Sequence, residues 1–369
     1  MNKSLTWITG DYFLQVDLPI IKGLSKVYQI NWFIIIGEEQ KYYSFSYLKK
    51  YCLKNSISFE IIKNSPASSF KLPFQQLKLL KKLKKNKSDF YYFNFYGLPY
   101  LYFIYKFYLD PNNVLFAIHN VKVPKGNKGE MVERLYQNFG LNHLNKILTF
   151  SKGQFVLANK KFPKKVIYNI PLPLTDFGPS SIVKCSSKIH FLFFGNISEY
   201  KRLDLLINAV EKLDASLKNK IIVTIAGQAV GWENYRKLIK TKNIYLLDIK
   251  RVPEDKVSNL FTSNHYLVLP YQDIAQSGPL KIAFNYRLPV IASNLESFKE
   301  DVLHKENGFI FEKNNVDSLK DILEYIINNH DYFYNVMKKN LDKYVKENMS
   351  NESIENKYCK MFNKELCQS

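Results

Sequence analysis

Short continuous apolar segments alternate with helix-patterned segments along most of this 369-residue chain. The segments "INWFIIIG" (30–37) and "IHFLFFG" (189–195) are typical of strands that are covered on both faces of a parallel sheet. Amphipathic stretches such as 44–54 and 203–214 follow strands of this kind and predict the covering helices. The alternation therefore predicts an α/β fold built from doubly wound, Rossmann-like sheets.

The apolar segments give the expected strands and the periodic segments give the expected helices. Strands are expected at 5–9, 30–37, 57–62, 90–96, 113–120, 146–151, 165–170, 189–195, 220–227, 243–248, 265–271, 289–293 and 308–312. Helices are expected at 44–54, 73–85, 130–138, 203–214, 231–240, 253–262, from Pro279 onwards, and 316–329.

The segment "PLPLTDFGPSSIVKCSSK" (171–188) interrupts the alternation and predicts a domain boundary, because it is rich in Pro, Ser and Gly. A chain of this length can bury two ordinary cores. We expect a first domain at 1–172, a linker at 173–188 and a second domain at 189–345. The remaining residues, 346–369, are expected to form a helical tail that packs back on the first domain.

The formal net charge of +20 indicates an anionic partner, which can be nucleic acid, an anionic membrane surface or a phosphorylated substrate. The four cysteines are scattered without a CxxC pair, which predicts reduced thiols and neither a disulfide framework nor a zinc site. We expect no signal peptide, and no transmembrane helix because polar residues interrupt the aromatic segment 90–109. These features together favour a cytoplasmic protein.

The stretch "FLFFGNISEYKRLDLLINAV" (191–210) joins a strand to a helix through a glycine and two adjacent cations. Gly195 lies at the carboxyl end of the strand, which is the edge where doubly wound sheets bind ligands. Lys201 and Arg202 come just before the helix, whose N-terminus also favours an anion. The turn therefore predicts a phosphate site, with an ordinary exposed loop lysine as the alternative.

A second strand-to-helix turn lies in "VLPYQDIAQSGPLKIAFNYRLPVIAS" (268–293). Pro279 suits the first turn of a helix, and Ser277 is the expected N-cap. Gly278 allows the backbone to approach a ligand closely. The turn predicts a second helix N-terminus that points at the same crevice, with a well-capped helix and no ligand as the alternative.

The second half of the chain resembles the donor-binding domain of glycosyltransferase family 4, whose members are retaining group 1 glycosyltransferases. The motifs that carry the resemblance are, in order, "FFG", "IAG", "LPYQDIAQSG", "LPVIAS" and "NGFIF". The resemblance extends over 189–329, whereas the first half shares only its strand-helix order and "FAIHN" (116–120). It implies the GT-B fold, in which two doubly wound Rossmann-like domains face each other across a cleft. The first would bind the acceptor and the second the nucleotide sugar.

The resemblance also implies site residues. The expected nucleotide- and diphosphate-binding set is Gly195, Asn196, Lys201, Arg202, Gln276, Ser277 and Gly278. His119 would reach the donor sugar from the opposite domain, so His119 and Lys201 are the expected catalytic residues, with a strand-end histidine that is only hydrogen-bonded in place as the alternative for His119. No metal and no cofactor are expected besides the nucleotide sugar, because Lys201 and a helix N-terminus can stabilise the departing diphosphate.

Three positions depart from the family pattern. Two glutamates usual in the family are replaced by Ile274 and Ile282, and Asp273 and Lys281 are the neighbours that would partly stand in beside the donor sugar. Asn196 replaces an arginine that often follows the first glycine, for which Arg202 would supply the cation.

Two features of the first domain bear on the acceptor. Gly10 and Asp11 follow the first strand and are acceptor-loop candidates, with a plain strand-helix turn as the alternative. The lysine-rich stretch 71–89 has an apolar stripe at near-helical spacing, formed by Leu72, Phe74, Leu77, Leu79, Leu80 and Leu83. A basic amphipathic helix favours binding to an anionic membrane, with an ordinary surface helix as the alternative.

The expected function is transfer of a hexose-type sugar from a nucleotide diphosphate sugar to a lipid-linked saccharide, with a UDP-sugar favoured over a GDP-sugar as the donor. The setting would be surface polysaccharide, O-antigen or capsule synthesis at the inner face of the cytoplasmic membrane. The alternatives are a catalytically inactive GT-B subunit, a nucleotide-sugar epimerase and a basic nucleic-acid-binding protein. Arginine is scarce and no nucleic-acid-binding motif is evident, so no nucleic-acid partner is expected.

Overall fold

The computed structural model describes residues 3–37, 43–66, 69–95, 101–121, 139–182, 187–274 and 276–367. The helix expected at 130–138 lies outside these residues. The chain divides into two compact units. Unit 1 comprises Met1–Pro173 and Ser350–Ser369, and unit 2 comprises Leu174–Met349.

Unit 1 is built on a seven-stranded sheet with the order β3-β2-β1-β4-β5-β6-β7, in which every neighbouring pair is parallel. Its strands are β1 (Ser4–Gly10), β2 (Gln29–Ile36), β3 (Ser58–Lys63), β4 (Phe90–Asn94), β5 (Val114–Ala117), β6 (Lys146–Thr149) and β7 (Val166–Asn169). Its described helices before residue 173 are α1 (Leu14–Leu24), α2 (Phe45–Lys54), α3 (Leu72–Lys85), α4 (Leu101–Ile104) and α5 (Lys152–Lys161).

Both faces of this sheet are buried, which explains why its strands are continuously apolar. Trp7 and Ile8 are consecutive and fully buried, yet they belong to two different apolar clusters. Successive side chains of a strand point to opposite faces, so the two clusters are the two faces of the sheet. Over both units, the strands expected from the sequence are confirmed, and most of them are one to three residues shorter than expected.

Unit 2 is built on a six-stranded parallel sheet with the order β10-β9-β8-β11-β12-β13. Its strands are β8 (Ile189–Phe194), β9 (Ile221–Ala226), β10 (Tyr245–Asp248), β11 (Tyr266–Leu269), β12 (Val290–Ser293) and β13 (Gly308–Phe311). Its helices are α6 (Leu203–Glu211), α7 (Ala215–Lys218), α8 (Trp232–Arg236), α9 (Glu254–Ser263), α10 (Gly278–Asn285), α11 (Glu296–Lys299) and α12 (Val316–Asn348).

The ends of unit 2 differ from the expected bounds. Leu174 and Phe177, placed in the expected linker, pack against an apolar cluster of unit 2. Helix α12 continues well beyond residue 329, with non-helical backbone angles at Asn329 (φ −128°, ψ 17°). Residues 346–348, expected in the tail, therefore complete this helix of unit 2.

The last helix, α13 (Asn351–Leu366), belongs to unit 1. Ser350 caps its N-terminus by accepting a hydrogen bond from the Ser353 amide at 3.1 Å. Near its end, the buried carboxylate of Glu365 pairs with Lys146 and accepts a hydrogen bond from the Tyr168 hydroxyl. These contacts fasten the helix to β6 and β7.

The strand order of each sheet reverses once, between β1 and β4 in unit 1 and between β8 and β11 in unit 2. In doubly wound sheets the crevice outside the carboxyl ends of such strands is the usual ligand site. No helix among the described residues is long and apolar enough to cross a membrane.

Candidate functional site

Two glycines meet at the carboxyl end of the reversal point in unit 2. Gly195 follows β8 with φ +104°, and Gly227 follows β9 with φ +148°. A β-carbon on Gly227 would lie 2.1 Å from the carbonyl oxygen of Gly195. Both positions therefore need glycine, because side chains are disfavoured at these angles and the two backbones touch.

Lys201 lies directly beside Gly195. Its side chain is largely buried, with the residue 7% exposed, and a β-carbon on Gly195 would lie 2.8 Å from its Nζ and 3.8 Å from a ring carbon of Pro279. Nζ also lies 5.4 Å from the centre of the Tyr271 ring. The structure thus brings together Gly195, Lys201 and the first turn of α10, as the sequence predicts.

Burial lowers the pKa of the Lys201 ammonium to about 8. Within the described part of the chain, no carboxylate forms an ion pair with this ammonium. A buried cation without a counter-charge is costly, and an anionic ligand would remove that cost.

The N-terminus of α10 provides further donors at the same place. Ser277 is its N-cap and accepts a hydrogen bond from the Leu280 amide at 3.3 Å. Gly278 is exposed, with open space where a β-carbon would stand. The side-chain nitrogen of Gln276 is buried and has no hydrogen-bond partner among the described residues. Gln276 therefore has an unused donor near the start of α10, the turn that approaches Gly195 and Lys201 through Pro279.

The two turns that carry these groups are joined by a backbone hydrogen bond, and the second turn is also tied to β12. The amide of Gln272 donates to the carbonyl of Tyr200 at 2.8 Å. The hydroxyl of Ser293, at the end of β12, donates to the carbonyl of Tyr271 at 2.6 Å. The loop with Lys201 and the loop that leads to α10 are therefore fixed relative to each other within unit 2.

Arg202, a predicted phosphate ligand, already has two protein partners in unit 2. Its guanidinium donates to the Asp204 carboxylate, with 2.9 Å between Nη2 and Oδ2, and to the Asn314 side chain at 2.5 Å. The structure therefore directs its charge to Asp204 and Asn314. Asn196, directly after Gly195, is exposed.

The two candidates for the donor sugar have different surroundings. Lys281 is buried and its Nζ lies 2.8 Å from the Asp301 carboxylate, so its charge is already paired. Asp273 is exposed. Ile282, at the position of the family's second glutamate, lies in the apolar core of unit 2, and Ile274 is half-buried.

In unit 1, His119 follows β5 and is 9% exposed. Its ring stacks on Phe13, with 3.6 Å between centroids and 6° between planes. Its Nε2 lies 3.0 Å from Oδ1 of Asn94, the last residue of β4. Burial lowers the pKa of the His119 imidazole to about 3, so the ring is neutral at physiological pH.

The partners of Asn94 extend into a buried polar network that no sequence pattern predicts. The Asn94 amide donates to the Asp17 carboxylate at 2.8 Å, which also accepts from Trp7 and Thr9. Desolvation raises the pKa of Asp17 to about 7. The available signal was a single acidic residue in the apolar helix segment "LQVDLPIIKGL".

The acceptor-loop candidates lie at the start of the turn that carries Phe13. Gly10 ends β1 and Asp11 begins a single 3₁₀ turn, Asp11–Phe13. A β-carbon on Gly10 would lie 2.7 Å from the ring of Tyr12. Gly10 and Asp11 thus lie at the reversal point of unit 1, on the turn whose last residue stacks on His119.

The lysine-rich helix α3 is amphipathic, with one correction. Leu72, Leu79, Leu80 and Leu83 are buried, but Phe74, expected in the apolar stripe, is 70% exposed. Phe70, just before the helix, is exposed as well. The exposed lysines of this segment are Lys71, Lys78, Lys81, Lys84, Lys85 and Lys87. Aromatic rings and ammonium groups are therefore exposed on one helix segment.

Among the described residues, no group of three or more His, Cys, Asp or Glu side chains is arranged to hold a metal ion. The described cysteines, Cys52, Cys359 and Cys367, are free thiols.

Residues 180–348, which lie within unit 2, match the family model described as glycosyl transferases group 1. A relative described as an uncharacterized glycosyltransferase, from Haemophilus influenzae, is 28% identical over 218 residues. That segment covers 57% of this chain and 59% of the relative, so the chain spans less than two thirds of this relative.

Two solved structures resemble the chain over nearly its whole length. HepE from Anabaena, solved with UDP-glucose, has a TM-score of 0.69 at 13% identity, covering 98% of this chain and 99% of that chain. Sucrose-phosphate synthase from Thermosynechococcus elongatus has a TM-score of 0.75 at 11% identity, covering all of both chains. The fold is therefore GT-B, with two Rossmann-like α/β domains.

Proposed function

We propose that the chain is a retaining glycosyltransferase that uses a nucleotide diphosphate sugar, with UDP-sugars favoured over GDP-sugars. The group 1 family match of unit 2 and the structural likeness to a protein solved with UDP-glucose support a donor of this kind. The proposed acceptor is a lipid-linked saccharide, and the proposed setting is surface polysaccharide synthesis.

One observation carries the proposal: a buried, uncompensated Lys201 lies against Gly195 and the first turn of α10. An ammonium and a helix N-terminus placed together can hold the two phosphates of a nucleotide diphosphate. The same groups stabilise the negative charge that grows on the diphosphate as it leaves the sugar. Lys201 can supply this charge without a metal ion.

The proposed reaction needs no general base from the protein. The bond between the anomeric carbon and the diphosphate oxygen breaks, and the acceptor hydroxyl forms its new bond on the same face. The proton of that hydroxyl passes to the departing phosphate oxygen. Lys201 stabilises this leaving group, and Gln276, Ser277 and Gly278 contribute polar donors.

Unit 1 is proposed to serve the sugar and the acceptor. His119 is the proposed contact to the donor sugar, and its low pKa makes it a neutral hydrogen-bonding group rather than a charged one. Gly10 and Asp11 are the proposed acceptor residues, because they lie at the carboxyl end of β1.

Helix α3 is the proposed contact with the membrane. Its exposed lysines and Phe74 combine the two interactions that hold a peripheral protein on an anionic bilayer, namely charge attraction and burial of apolar rings. Binding at the cytoplasmic face would bring the enzyme to a lipid-linked acceptor.

Calorimetric titration of UDP and GDP into wild-type protein and the variant Lys201→Met tests the donor site. We expect one nucleotide to bind, and the variant to bind it about 10 to 100 times more weakly, since a hydrogen bond to a charged group contributes roughly 1.5–3 kcal/mol. Lys212→Met is the matched control, because Lys212 lies in the same unit and is half-exposed. Equal affinities of the Lys201 and Lys212 variants would refute the site.

The inactive-subunit alternative is favoured by the apolar residue Ile282, which stands in the core where the family has a glutamate. Release of UDP from UDP-sugars, measured with lipid-linked saccharides present, separates the two possibilities. Nucleotide binding without turnover would support the inactive subunit, and turnover with an unchanged anomeric configuration in the product would support a retaining enzyme.

A further inference from the structure

We infer that Asp17 acts through Asn94 as a positioning residue that fixes which ring nitrogen of His119 carries the proton. The three side chains come from α1, the end of β4 and the segment after β5. They form one hydrogen-bonded chain in the interior of unit 1, with 2.8 Å from Asn94 to Asp17 and 3.0 Å from Asn94 to His119.

The donors around Asp17 fix the direction of this chain. Trp7 Nε1 donates to Oδ2 of Asp17 at 2.9 Å, and an indole nitrogen can only donate. The hydroxyl of Thr9 accepts from Trp32 Nε1 at 2.7 Å, so its own proton points to the same Oδ2 at 2.5 Å. Oδ2 is therefore committed as an acceptor.

The sheet explains why these groups converge. Thr9 and Asn94 are register partners on the neighbouring strands β1 and β4, and Trp7 lies two residues before Thr9 on the same face. Asp17 lies in the first turn of α1, where the helix dipole favours a carboxylate. Above its pKa of about 7, Asp17 is ionised and can only accept, so the amide nitrogen of Asn94 faces its Oδ1.

The orientation of Asn94 then determines the tautomer of His119. With its nitrogen on Asp17, Asn94 presents its oxygen to Nε2 of His119, and Nε2 must carry the proton. Burial keeps the ring neutral, so the lone pair remains on Nδ1. In this tautomer Nδ1 can only accept a hydrogen bond.

The ring itself is held in place by aromatic contacts. The ring of Phe13 stacks on the His119 ring with 3.6 Å between centroids. The centroid of the Phe150 ring lies 4.3 Å from that of His119. A 180° flip of the ring would keep these stacking contacts but would place Cε1 where Nε2 contacts Asn94, so it would break that hydrogen bond. The Asn94 amide is therefore the movable part, and Asp17 decides its orientation.

The variant Asp17→Asn tests the inference, because it keeps the shape of the side chain and replaces an oxygen that only accepts by an amide nitrogen that only donates. The oxygen of the new amide must face Trp7 and Thr9, so its nitrogen faces Asn94. Asn94 then turns its oxygen to position 17 and its nitrogen to His119. We expect His119 to change from the Nε2-protonated to the Nδ1-protonated tautomer.

The measurement is a long-range proton–nitrogen correlation spectrum of protein labelled with ¹⁵N-histidine, recorded at pH 8.5 without nucleotide. The chain has six histidines, and the variant His119→Gln assigns the signals. Trp7→Phe is the matched control: it removes one donor from the same carboxylate and leaves Asn94 untouched, so the tautomer should stay as in wild type.

Either of two results overturns the inference: a wild-type His119 protonated at Nδ1, or an Asp17→Asn variant that keeps the proton on Nε2. The wild-type spectrum decides the tautomer even where the variant does not fold. The catalytic consequence rests on the proposed function: in Asp17→Asn, kcat should fall at least tenfold while the affinity for UDP is unchanged. A missing UDP interaction would instead count against the donor site, because the tautomer is measured without ligand.

Discussion

The ammonium of Lys201 occupies the space that a side chain on Gly195 would need, because a β-carbon at position 195 would lie 2.8 Å from its Nζ. The glycine and the lysine are thus one structural feature. The left-handed backbone of Gly195, at φ +104°, turns the chain out of β8. The missing side chain leaves room for the lysine between that turn and α10.

Gly195→Ala is expected to weaken UDP binding at least tenfold. The methyl group displaces the lysine, and the backbone strain costs roughly 1–3 kcal/mol of stability. Gly178→Ala is the matched control, because Gly178 also has positive φ (+88°), but a β-carbon added there would meet open space. Calorimetry with UDP separates backbone strain from displacement of Lys201. Loss of affinity in both variants would show that strain, and not displacement of Lys201, is responsible.

Nucleotide binding is expected to weaken as the pH rises above about 8. Lys201 has a pKa lowered to about 8, so the unliganded protein loses this positive charge in that range. A bound diphosphate favours the charged form, and binding above pH 8 therefore takes up a proton, with up to a tenfold loss of affinity per pH unit. Titrations between pH 7 and 9.5 in buffers of different ionisation enthalpy measure this uptake.

The variant Lys201→Arg is the control for that pH dependence. A guanidinium stays charged over the whole range, so its proton uptake should vanish even if its affinity differs. A wild-type affinity that is flat from pH 7 to 9.5 would contradict the role given to Lys201.

The parts of this fold that the sequence predicts are those set by local pattern. Continuous apolar strands and amphipathic helices are visible in short windows, because burial of both sheet faces repeats along each strand. The turn with Gly195 and Lys201 was predictable for a similar reason. A glycine after a strand and a lysine before a helix are close in sequence, and the reversal of strand order at that edge brings in α10.

The direction of a charged side chain could not be predicted in the same way. Lys281 was expected near the donor sugar, but its ammonium pairs with Asp301, twenty residues further along the chain. Arg202 was expected near phosphate, but it binds Asp204 and Asn314. A long side chain reaches several partners, and the choice depends on tertiary packing that spacing does not encode.

The Asp17 network was missed because its members are distant in sequence. Asn94 bonds a carboxylate 77 residues earlier and a histidine 25 residues later. Each is an isolated polar residue in an apolar segment, which indicates a buried hydrogen bond without naming its partner.

The stability of unit 1 is expected to decrease as the pH rises from about 4 to 7. Asp17 has a pKa of about 7 in the folded protein, against an ordinary value of 3.8, so the folded state holds a proton that the unfolded chain releases. The contribution of Asp17 to the free energy of unfolding is present in full below pH 4. It is lost as the pH rises through 7, by roughly 4 kcal/mol at most. Tyr92 and Tyr358, which also face Asp17, stay neutral because burial raises their pKa.

Urea unfolding at pH 5 and pH 8 measures this effect. Fluorescence is a suitable probe of unit 1, because Trp7 and Trp32 are buried there. Asn cannot titrate, so in Asp17→Asn this change in the free energy of unfolding between pH 5 and pH 8 should disappear. A variant that changes as much as the wild type would contradict the role given to Asp17.

Glu365→Ala is expected to destabilise unit 1 by about 3–5 kcal/mol, since it leaves the partly buried Lys146 without its partner. Glu352→Ala, at the exposed start of the same helix, should cost less than about 1 kcal/mol. Denaturant unfolding measures both. UDP binding should be unchanged in both variants, because Lys201 lies in unit 2; a loss of binding in Glu365→Ala would contradict this separation.

Replacement of Lys78, Lys81 and Lys85 by Gln is expected to weaken binding to vesicles of phosphatidylglycerol and phosphatidylcholine about 100-fold. Each lysine near an anionic surface contributes about 1 kcal/mol, so three together account for this change. Phe74→Ser should weaken binding further at high salt, where charge attraction is screened and ring insertion remains.

The control for this surface removes the same charge elsewhere. Lys237, Lys240 and Lys242 are exposed lysines of unit 2, and their replacement by Gln lowers the net charge equally. If the overall charge of +20 alone drives adsorption, both triple variants will lose the same affinity in vesicle co-sedimentation. If α3 docks on the bilayer, only the triple variant of Lys78, Lys81 and Lys85 will lose affinity for the vesicles, because these lysines share a helix with an exposed aromatic ring.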